Sequence, residues 1–480
     1  MKPLISMREA LADPDLFGTI LEGDSWAAWR VLLIAIMGEP LTDDERIIFK
    51  QLTMRDQEPL QPVEEFWAIV GRRGGKTRAM SVLSAYLASL CDWSDVLVPG
   101  EIGRLQYMSY NAYQAGIALG YAKAIFTELP LFAQQVEKIG ADIIELKTGI
   151  ELEVRAATWR GLRGVTSIGA VFDELAFFMS DEYSANTDKE ILNAVRPSLA
   201  TTSGPLIAIS SPFAKTGEVY QAVQRDFGPN GDPQILVARG ASRDFNPSLP
   251  QKVVDRALER DAAAAQAEYL GQFRADLQAF VSVETVQACV AAALAVILPN
   301  NNRRPYKAFC DPSGGSSDSF TLAIGHDGRG DSQLGKDLII LDRVEEQRPP
   351  FKPEQVVAKF SNILLSYGCT EVVGDGYAGE WVSAAFDRYG IRYLRSPLTK
   401  SELFLNFLPL LNSRSVQLLD HQRLTGQLVG MQRRVSSGGR ESVDHGPNAH
   451  DDVANAVAGC LAMIARARRQ TITKTTAISV

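Results

Sequence analysis

The stretch Val70-Gly71-Arg72-Arg73-Gly74-Gly75-Lys76-Thr77 constrains the fold of this chain more than any other. An apolar run from Phe66 to Val70 precedes it, and apolar residues recur at helical spacing from Met80 to Leu90, which predicts a strand-to-helix turn. Such a turn directs backbone N–H groups at phosphates, with Lys76 reaching the β- and γ-phosphates of ATP and Thr77 holding Mg²⁺. Because the first glycine comes one residue later than in G-x-x-x-x-G-K-[ST], the motif alone also permits a surface turn with a chance lysine.

Two later strand ends carry side chains that suit the same chemistry. The apolar run from Ile168 to Phe172 ends in Asp173 and Glu174, at the place where a doubly wound sheet binds its ligand. Asp173 is placed to bind Mg²⁺ through its water shell, and Glu174 to orient or deprotonate the attacking water. The apolar strand that starts at Leu206 ends in Ser210 and Ser211, which are positioned to sense the γ-phosphate. Agreement between these strand ends and the phosphate loop favours a nucleotide site over a chance turn.

The composition limits the class of protein. A length of 480 residues predicts two to three domains, and 46% hydrophobic with 22% charged residues is typical of a soluble globular chain. No apolar run reaches the ~20 residues of a membrane span, and no export signal is evident at the start. Five scattered cysteines without a C-x-x-C pair favour a reducing cytoplasm over disulfide or zinc frameworks. A net charge of −8 argues against a wholly basic nucleic-acid coat, but it permits a nuclease whose acids bind metals.

The pattern of motifs and linkers predicts five segments. They are a helical preface at 1–60, a phosphate-loop domain at 61–280, a linker at 281–304, a second α/β domain at 305–470 and a flexible tail at 471–480. In the preface, Trp29 and Arg30 lie in an apolar helical stripe. They either pack in the core, which apolar periodicity favours, or face an adenine ring.

The second domain presents aspartates at three separate element ends. A strand from Tyr306 ends at Asp311, a strand from Glu371 ends at Asp375, and Asp451 and Asp452 open the last helix. Each one alone could be a turn or helix-cap residue. Together they predict a site for Mg²⁺ or Mn²⁺, in which two ions would hold the attacking and leaving oxygens of a phosphodiester. The sequence leaves open which of Asp451 and Asp452 is the direct ligand, and His445 and His450 are not assigned a role.

Two arginine-bearing loops have alternative interpretations. Arg160 and Arg163 lie in a glycine-rich loop before the Asp173 strand, where an arginine could reach the γ-phosphate of a neighbouring subunit, contact DNA or simply face solvent. A second loop at 433–440 contains three arginines around Ser436-Ser437-Gly438-Gly439. It suits a DNA backbone, and it could equally be a solvated hairpin tip.

The order and spacing of these motifs resemble the large terminase subunit of tailed bacteriophages and prophages over nearly the whole chain. The resemblance rests on the arginine-bearing phosphate loop 71–77, the strand ends at 171–174 and 210–212, the segment from Asn246-Pro247 to Phe273, and the aspartates of the second half. It implies an α/β protein with an N-terminal ASCE-type P-loop NTPase domain on a parallel central sheet, followed by an RNase H-like mixed α/β nuclease domain. The function implied is packaging of double-stranded DNA into a procapsid and cutting of concatemeric DNA.

The same resemblance implies roles for individual residues and partners. Glu174 would be the catalytic glutamate, Ser210-Ser211-Pro212 the coupling motif, Arg72 a phosphate-sensing arginine and Arg163 a finger toward the adjacent subunit. The nucleotide-binding set would be Gly71, Arg72, Arg73, Gly74, Gly75, Lys76, Thr77, Asp173, Ser210 and Ser211. The implied partners are DNA, the procapsid portal protein, a small terminase subunit and further copies in a ring, with a monomer in free solution. The implied location is the host bacterial cytoplasm, with a transient stay at the portal vertex.

Two other functions fit parts of the pattern. A DNA repair helicase or translocase with a fused nuclease would need an arginine-bearing motif in a second RecA-like lobe, whereas residues 304–470 show separated acids. A non-enzymatic ATP-binding scaffold would not need all three aspartate positions.

Overall fold

A computed structural model describes residues 1–156, 164–178, 187–274, 276–299, 305–316, 318–329, 338–375, 379–435, 441–446 and 449–478. The chain divides into two compact units, with the boundary between Asp276 and Leu277. Both units are mixed α/β structures with parallel-rich sheets, which agrees with the predicted fold class.

The first unit is built on an eight-stranded sheet that is mainly parallel. The strand order is β10-β2-β9-β8-β4-β7-β6-β5, in which β6 pairs antiparallel with both β5 and β7 and the other pairs are parallel. These strands span β2 Glu65–Val70, β4 Gly103–Ser109, β5 Val136–Ile139, β6 Ile143–Leu146, β7 Ile150–Ala156, β8 Ser167–Asp173, β9 Leu206–Ser210 and β10 Ile235–Gly240, while β1 Lys2–Pro3 and β3 Cys91–Asp92 form a separate pair.

Helices cover both faces of this sheet, since β2, β8 and β9 are buried along almost their whole length and read as continuous apolar runs. The helices are α1 Met7–Ala12, α2 Ala27–Ile36, α3 Asp43–Thr53, α4 Lys76–Ser89, α5 Ala112–Glu128, α6 Pro130–Ala133, α7 Thr187–Leu199, α8 Gly217–Asp226, α9 Ser242–Phe245, α10 Gln251–Arg260 and α11 Ala262–Leu270. Short 3₁₀ turns lie at Asp24–Trp26 and Leu175–Phe177.

The strand order places the predicted site residues side by side. One strand, β9, lies between β2, which leads into the phosphate loop, and β8, which ends at Asp173. This inserted strand is the arrangement expected of an ASCE-type NTPase. Because all three strands are parallel, their carboxyl ends meet at one edge of the sheet.

The second unit contains a seven-stranded mixed sheet in the order β12-β18-β15-β14-β13-β16-β17. Its central part runs antiparallel from β15 through β14 to β13 and parallel from β13 through β16 to β17, which is the order of an RNase H-like core. The strands are β12 Val290–Ala291, β13 Tyr306–Asp311, β14 Phe320–Asp327, β15 Ile339–Gln347, β16 Glu371–Gly374, β17 Arg392–Arg395 and β18 Val416–Leu419.

Six helices and a small antiparallel sheet complete the described part of this unit. The sheet consists of β11 Leu277–Ala279, β19 Met431–Val435 and β20 Glu441–His445, in the order β11-β19-β20. The helices are α12 Val283–Gln287, α13 Pro353–Ser366, α14 Gly379–Asp387, α15 Lys400–Asn412, α16 Gln422–Gly430 and α17 Asp452–Ile478. The long α17 is buried over most of its first half because it packs on β13, β14 and α15.

The preface is helical as expected, whereas the predicted linker and tail differ from the sequence-based expectation. The preface shares one hydrophobic core with the phosphate-loop sheet, since Trp29, Leu32 and Leu33 are buried in the same cluster as β2 and α4. The predicted linker 281–304 contributes α12 and β12, and β12 joins the sheet edge beside β18. The predicted tail continues α17 as far as Ile478, because threonine and alanine in this stretch do not break a helix.

Among the helices that the structure describes, none is both long enough and apolar enough to cross a lipid bilayer.

Candidate functional site

The phosphate loop has the backbone geometry of an anion cradle. Gly75 caps α4 with φ +83°, and Arg73 also has a positive φ of 65°. At Gly71, an added Cβ would lie 2.4 Å from the Ser242 hydroxyl, so only glycine fits this close approach. The loop thus places the N-terminus of a 14-residue helix at the edge of the sheet where β8 and β9 end.

Lys76 is buried and lies among oxygens of the neighbouring strand ends. Its Nζ donates to the Val70 carbonyl at 3.0 Å and to the Ser211 hydroxyl at 2.9 Å. The Glu174 carboxylate lies 3.3 Å from the same ammonium. The tertiary structure therefore brings together Val70, Lys76, Glu174 and Ser211, which the sequence analysis identified at three separate strand ends.

Asp173 is held by two hydroxyl donors. Thr77 Oγ1 donates to Asp173 Oδ2 at 2.8 Å, and the Tyr107 hydroxyl donates to the same oxygen at 3.0 Å. Burial and the negative charge of Glu174 raise the pKa of Asp173 to about 6. A buried carboxylate beside a threonine hydroxyl at a helix start fits Mg²⁺ with a triphosphate, because the cation would offset the burial of charge.

Glu174 has a left-handed backbone conformation, with φ 62° and ψ 45°, which is uncommon outside glycine and asparagine. Its N–H donates to the Ile209 carbonyl at 2.7 Å. Its carboxylate accepts from the Ser211 N–H at 2.8 Å and lies 3.4 Å from the hydroxyls of Ser210 and Ser211. Both serines thus contact the predicted catalytic glutamate directly.

Three side chains from elsewhere in the first unit hold the loop carbonyls. Trp29 Nε1 donates to Gly74 O at 2.6 Å, the Ser242 hydroxyl to Arg72 O at 2.6 Å, and Asn246 Nδ2 to Arg73 O at 3.0 Å. Trp29 is fully buried and packs against Phe245 at a ring distance of 4.9 Å. The core interpretation of Trp29 is therefore the one that the structure shows.

Arg72 and Arg30, two of the arginines with possible nucleotide roles, are placed differently. The Arg72 side chain is half exposed, and its guanidinium lies 3.3 Å from the Glu268 carboxylate of α11. Arg30 donates instead to the carbonyls of Leu21 and Gly23. Arg163 and Arg160, the finger candidates, lie outside the described residues.

In the second unit, the predicted aspartates line one cleft of ≈ 490 Å³. Asp311 ends β13, Asp375 follows β16, and Asp452 begins α17. Because β13 and β16 are parallel neighbours, their carboxyl ends bring the first two acids to one sheet edge. The other described residues lining the cleft are Pro312, Ser313, Gly314, Asp318, Ser319, Trp381, Lys400, His445, His450, Asp451 and Asn455.

The acids of the cleft are crowded and poorly solvated. Burial and the charges of Asp452, Asp451 and Asp375 raise the pKa of Asp311 to about 8, although Asn455 Nδ2 donates to its carboxylate at 2.8 Å. Burial likewise raises the pKa of Asp452 to about 6. These carboxylates resist ionisation because they are buried and lie close to one another. A hard divalent cation fits such a set of donors, since its charge offsets both the loss of solvation and the repulsion between the acids.

Asp452 and the start of α17 are held by neighbours. The Ser319 N–H donates to Asp452 Oδ2 at 3.3 Å, and buried Arg423 lies 3.9 Å from the same oxygen. One turn further along α16, Gln427 Oε1 accepts from the Ala454 N–H at 2.9 Å. Helix α16 thereby fixes the backbone that carries the carboxylates.

Asp451 has a different environment from Asp452. Its Oδ2 lies 2.6 Å from the Lys400 ammonium, which also contacts Asp444 Oδ1 at 2.8 Å. The ligand atoms of Asp444, His445 and Asp451 lie within 4.8 Å of one another. His450 is exposed, 3.6 Å from Asp318. The two adjacent aspartates therefore face different partners.

Several residues of these sites have no sequence motif. Tyr107 lies within β4, and nothing in its sequence indicates a contact with Asp173. Lys400 opens α15 behind a Thr399–Glu402 capping-box pattern, but nothing in the sequence indicates its contact with Asp451. Asn455 could have been found, because it lies three residues after Asp452 and so falls on the same helix face. In the loop at 433–440, Arg433 pairs with Glu441, and residues 436–440 lie outside the described part.

No protein-family model matches the sequence, and no curated protein matches it. Among solved structures, the chain is similar to the large terminase of bacteriophage HK97, with 15% identity and a TM-score of 0.37 over 88% of this chain and 100% of that chain.

Two further solved structures illustrate the range of matches. The large terminase from a thermophilic bacteriophage has 12% identity and a TM-score of 0.36, over 89% of this chain and 99% of that one. The large terminase nuclease of thermophilic phage G20c with bound magnesium has 17% identity and a TM-score of 0.30, over 38% of this chain and 98% of that one. Two of these three structures are phage large terminases matched over 88% and 89% of this chain, and the third is a large terminase nuclease matched over 38% of it.

Proposed function

We propose that this chain is a large terminase subunit. It would hydrolyse ATP to translocate double-stranded viral DNA into a procapsid and cut concatemeric DNA with a metal-dependent endonuclease. The observation that supports this most directly is that one chain holds Lys76 and Glu174 3.3 Å apart at a phosphate loop and also gathers Asp311, Asp375 and Asp452 in one cleft.

In the proposed ATPase, each group has a role that follows from its position. The N-terminus of α4 and the ammonium of Lys76 bind the phosphates of ATP. Thr77 and Asp173 hold Mg²⁺, and Glu174 orients the attacking water and accepts its proton. Through their contacts with Glu174, Ser210 and Ser211 transmit a change at the γ-phosphate to the end of β9. Arg163 is proposed as the finger toward an adjacent subunit.

In the proposed nuclease, Asp311, Asp375 and Asp452 hold the divalent cation, Mg²⁺ or Mn²⁺. When bound, the cation supplies Lewis acidity toward a phosphodiester and lowers the pKa of a coordinated water. Asn455 orients Asp311, while Ser319 and Arg423 orient Asp452. We assign Asp452 as the direct ligand because Asp451 is engaged by Lys400.

The proposed setting follows from the packaging role. The chain would act in the host bacterial cytoplasm and transiently at the portal vertex of the procapsid. Its partners would be double-stranded DNA, the portal protein, a small terminase subunit and further copies of itself in a ring.

The decisive experiment is cleavage of supercoiled plasmid in Mn²⁺ by the wild-type chain, by Asp375→Ala and by Asp387→Ala. Asp387 is an exposed residue at the end of α14, so its variant is a matched control. We expect nicking and linearisation by the wild type and the control, and loss of both in Asp375→Ala. Equal cleavage by all three proteins would contradict the assignment of the cleft. Unwinding of a forked duplex would favour the helicase alternative instead.

A further inference from the structure

Lys400 is a positively charged side chain placed inside an otherwise acidic cleft. Among the described residues that line the cleft it is the one lysine or arginine, beside Asp311, Asp375, Asp451 and Asp452. Burial lowers the pKa of Lys400, but the carboxylates of Asp451 and Asp444 together raise it by more. The net shift of the pKa is upward, so the ammonium is charged at neutral pH. A lysine held this way acts as a resident monovalent cation.

The contact between Lys400 and Asp451 is close but poorly aligned. Asp451 Oδ2 is fully buried and lacks a partner in hydrogen-bond geometry, although the Lys400 ammonium lies 2.6 Å away. The attraction of opposite charges at this short distance holds the pair. A buried carboxylate oxygen in this state retains the capacity to bind another cation.

Lys400 also links Asp451 to the strand β20. Its ammonium reaches Asp444 Oδ1 at 2.8 Å, and the adjacent Ser401 hydroxyl accepts from the Val443 N–H at 3.1 Å. The start of α15 is itself fixed by a capping box between Thr399 and Glu402. The ammonium thus sits on a rigid helix start, between two carboxylates whose oxygens could otherwise share a metal ion with His445.

We propose that, in the absence of DNA, Lys400 takes the place of a second divalent cation on the Asp451 side of the cleft, so that the protein holds one ion tightly at Asp311, Asp375 and Asp452. This inference rests on the proposed nuclease function. An ammonium between Asp451 and Asp444 repels an incoming divalent ion and occupies its ligands. Removal of the ammonium exposes those ligands.

The test is a count of Mn²⁺ ions bound per full-length chain, without nucleotide or DNA, from the electron paramagnetic resonance signal of free Mn²⁺. The variants are Lys400→Met, Lys400→Arg and the control Lys359→Met, which removes a lysine that pairs with Glu345 at 3.0 Å in the same unit. We expect Lys400→Met to bind one more ion than the wild type, and the other two to match the wild type. The double variant Lys400→Met/Asp451→Asn should lose the extra ion.

The outcomes separate this inference from the function on which it rests. The inference would be overturned if Lys400→Met bound the same number of Mn²⁺ ions as the wild type. The proposed nuclease would still stand if the double variant Asp311→Asn/Asp375→Asn lost an ion that the wild type binds. If the wild type and this double variant bound the same number of Mn²⁺ ions, the proposed nuclease itself would be overturned. If Lys400→Met fails to fold, Asp451→Asn decides the matter. The Asp451→Asn variant should bind as many Mn²⁺ ions as the wild type, and loss of an ion in this variant would overturn the inference.

Discussion

The hydroxyl of Thr77 donates a 2.8 Å hydrogen bond to the carboxylate of Asp173, which joins the first turn of α4 to the end of β8. Between these residues in the chain lie 95 others, so the contact exists only because β2, β9 and β8 are parallel neighbours. It brings a hydroxyl and a carboxylate to the same point, as a Mg²⁺ site requires.

Loss of that hydroxyl should impair use of Mg²⁺. Thr77→Val keeps the side-chain volume and removes the donor, whereas Thr77→Ser keeps the donor. We expect the valine variant to lose roughly ten- to a hundredfold in Mg²⁺-dependent ATP hydrolysis, the range for disturbed metal partners. The serine variant should stay near wild type. Initial rates across a Mg²⁺ titration measure this, and equal rates in both variants would contradict the assignment.

Glu174→Gln should abolish ATP turnover and retain nucleotide binding. The amide keeps the size of the side chain and removes the base, so we expect a loss of roughly a hundred- to ten-thousandfold in kcat. Glu145→Gln is the control, because Glu145 lies on β6 and pairs with Lys138 on the neighbouring strand. A steady-state phosphate-release assay with a fluorescent ADP binding assay checks both parts. Intact hydrolysis in Glu174→Gln would remove the catalytic role.

Trp29→Phe should weaken nucleotide binding through the phosphate loop. The change leaves the buried Gly74 carbonyl without its 2.6 Å donor, at a cost of about 1–3 kcal/mol in the free energy of unfolding. Trp93→Phe is a matched control, since Trp93 Nε1 donates to the Leu87 carbonyl at 2.8 Å. We expect both variants to unfold at lower temperature, but only Trp29→Phe to bind ADP more weakly. Equal ADP affinity in the two would show that Trp29 is purely structural.

Binding of Mn²⁺ by the nuclease cleft should strengthen with pH. The pKa of Asp311 is raised to about 8, so below that pH a proton must leave before the carboxylate can bind an ion. The apparent Kd should therefore fall by roughly tenfold per pH unit between pH 6 and 8 for one proton released. Calorimetric titrations at three pH values measure the slope. A flat dependence in the wild type would contradict the crowded-acid account.

The same raised pKa fixes the sign of a stability change in the metal-free protein. Between about pH 4 and pH 8 the native state binds the Asp311 proton more readily than the unfolded chain does, so the free energy of unfolding falls as the pH rises. Asp311→Asn removes this titration and should flatten that part of the profile. Denaturant unfolding of the second unit in a chelator, from pH 5 to pH 9, measures it.

Gln427→Leu should disturb the metal ligands from a distance. The variant leaves the buried Ala454 N–H without its acceptor, which costs about 1–3 kcal/mol in the free energy of unfolding. Because that N–H lies in the first turn of α17, beside Asp452, we expect weaker Mn²⁺ binding as well. Gln422→Leu, at an exposed position at the start of α16, is the control. Unchanged Mn²⁺ affinity in Gln427→Leu would limit its role to stability.

The amino-acid sequence by itself determined the local elements and the chemistry available to them. Continuous apolar runs predicted strands such as β2 and β8. The glycines of the phosphate loop and the aspartates after strands could be recognised because turn and ligand chemistry is local. The turn-rich stretch that starts at Pro299 predicted a linker over 281–304, whereas its described part contains α12 and β12. The polar residues from Thr471 predicted a flexible tail, whereas α17 continues as far as Ile478.

Only the tertiary structure decided which side chains meet. The strand order put β9 between β2 and β8, and so brought Ser211, Lys76 and Glu174 into contact from three separate segments. Tyr107 and Lys400 entered the two sites without any motif, because their roles depend on distances across the sheet and between helices. Helical spacing from Asp452 could have indicated Asn455. Sequence spacing reports contacts within one helix or strand, whereas contacts between elements follow from strand order and helix packing, which no local pattern encodes.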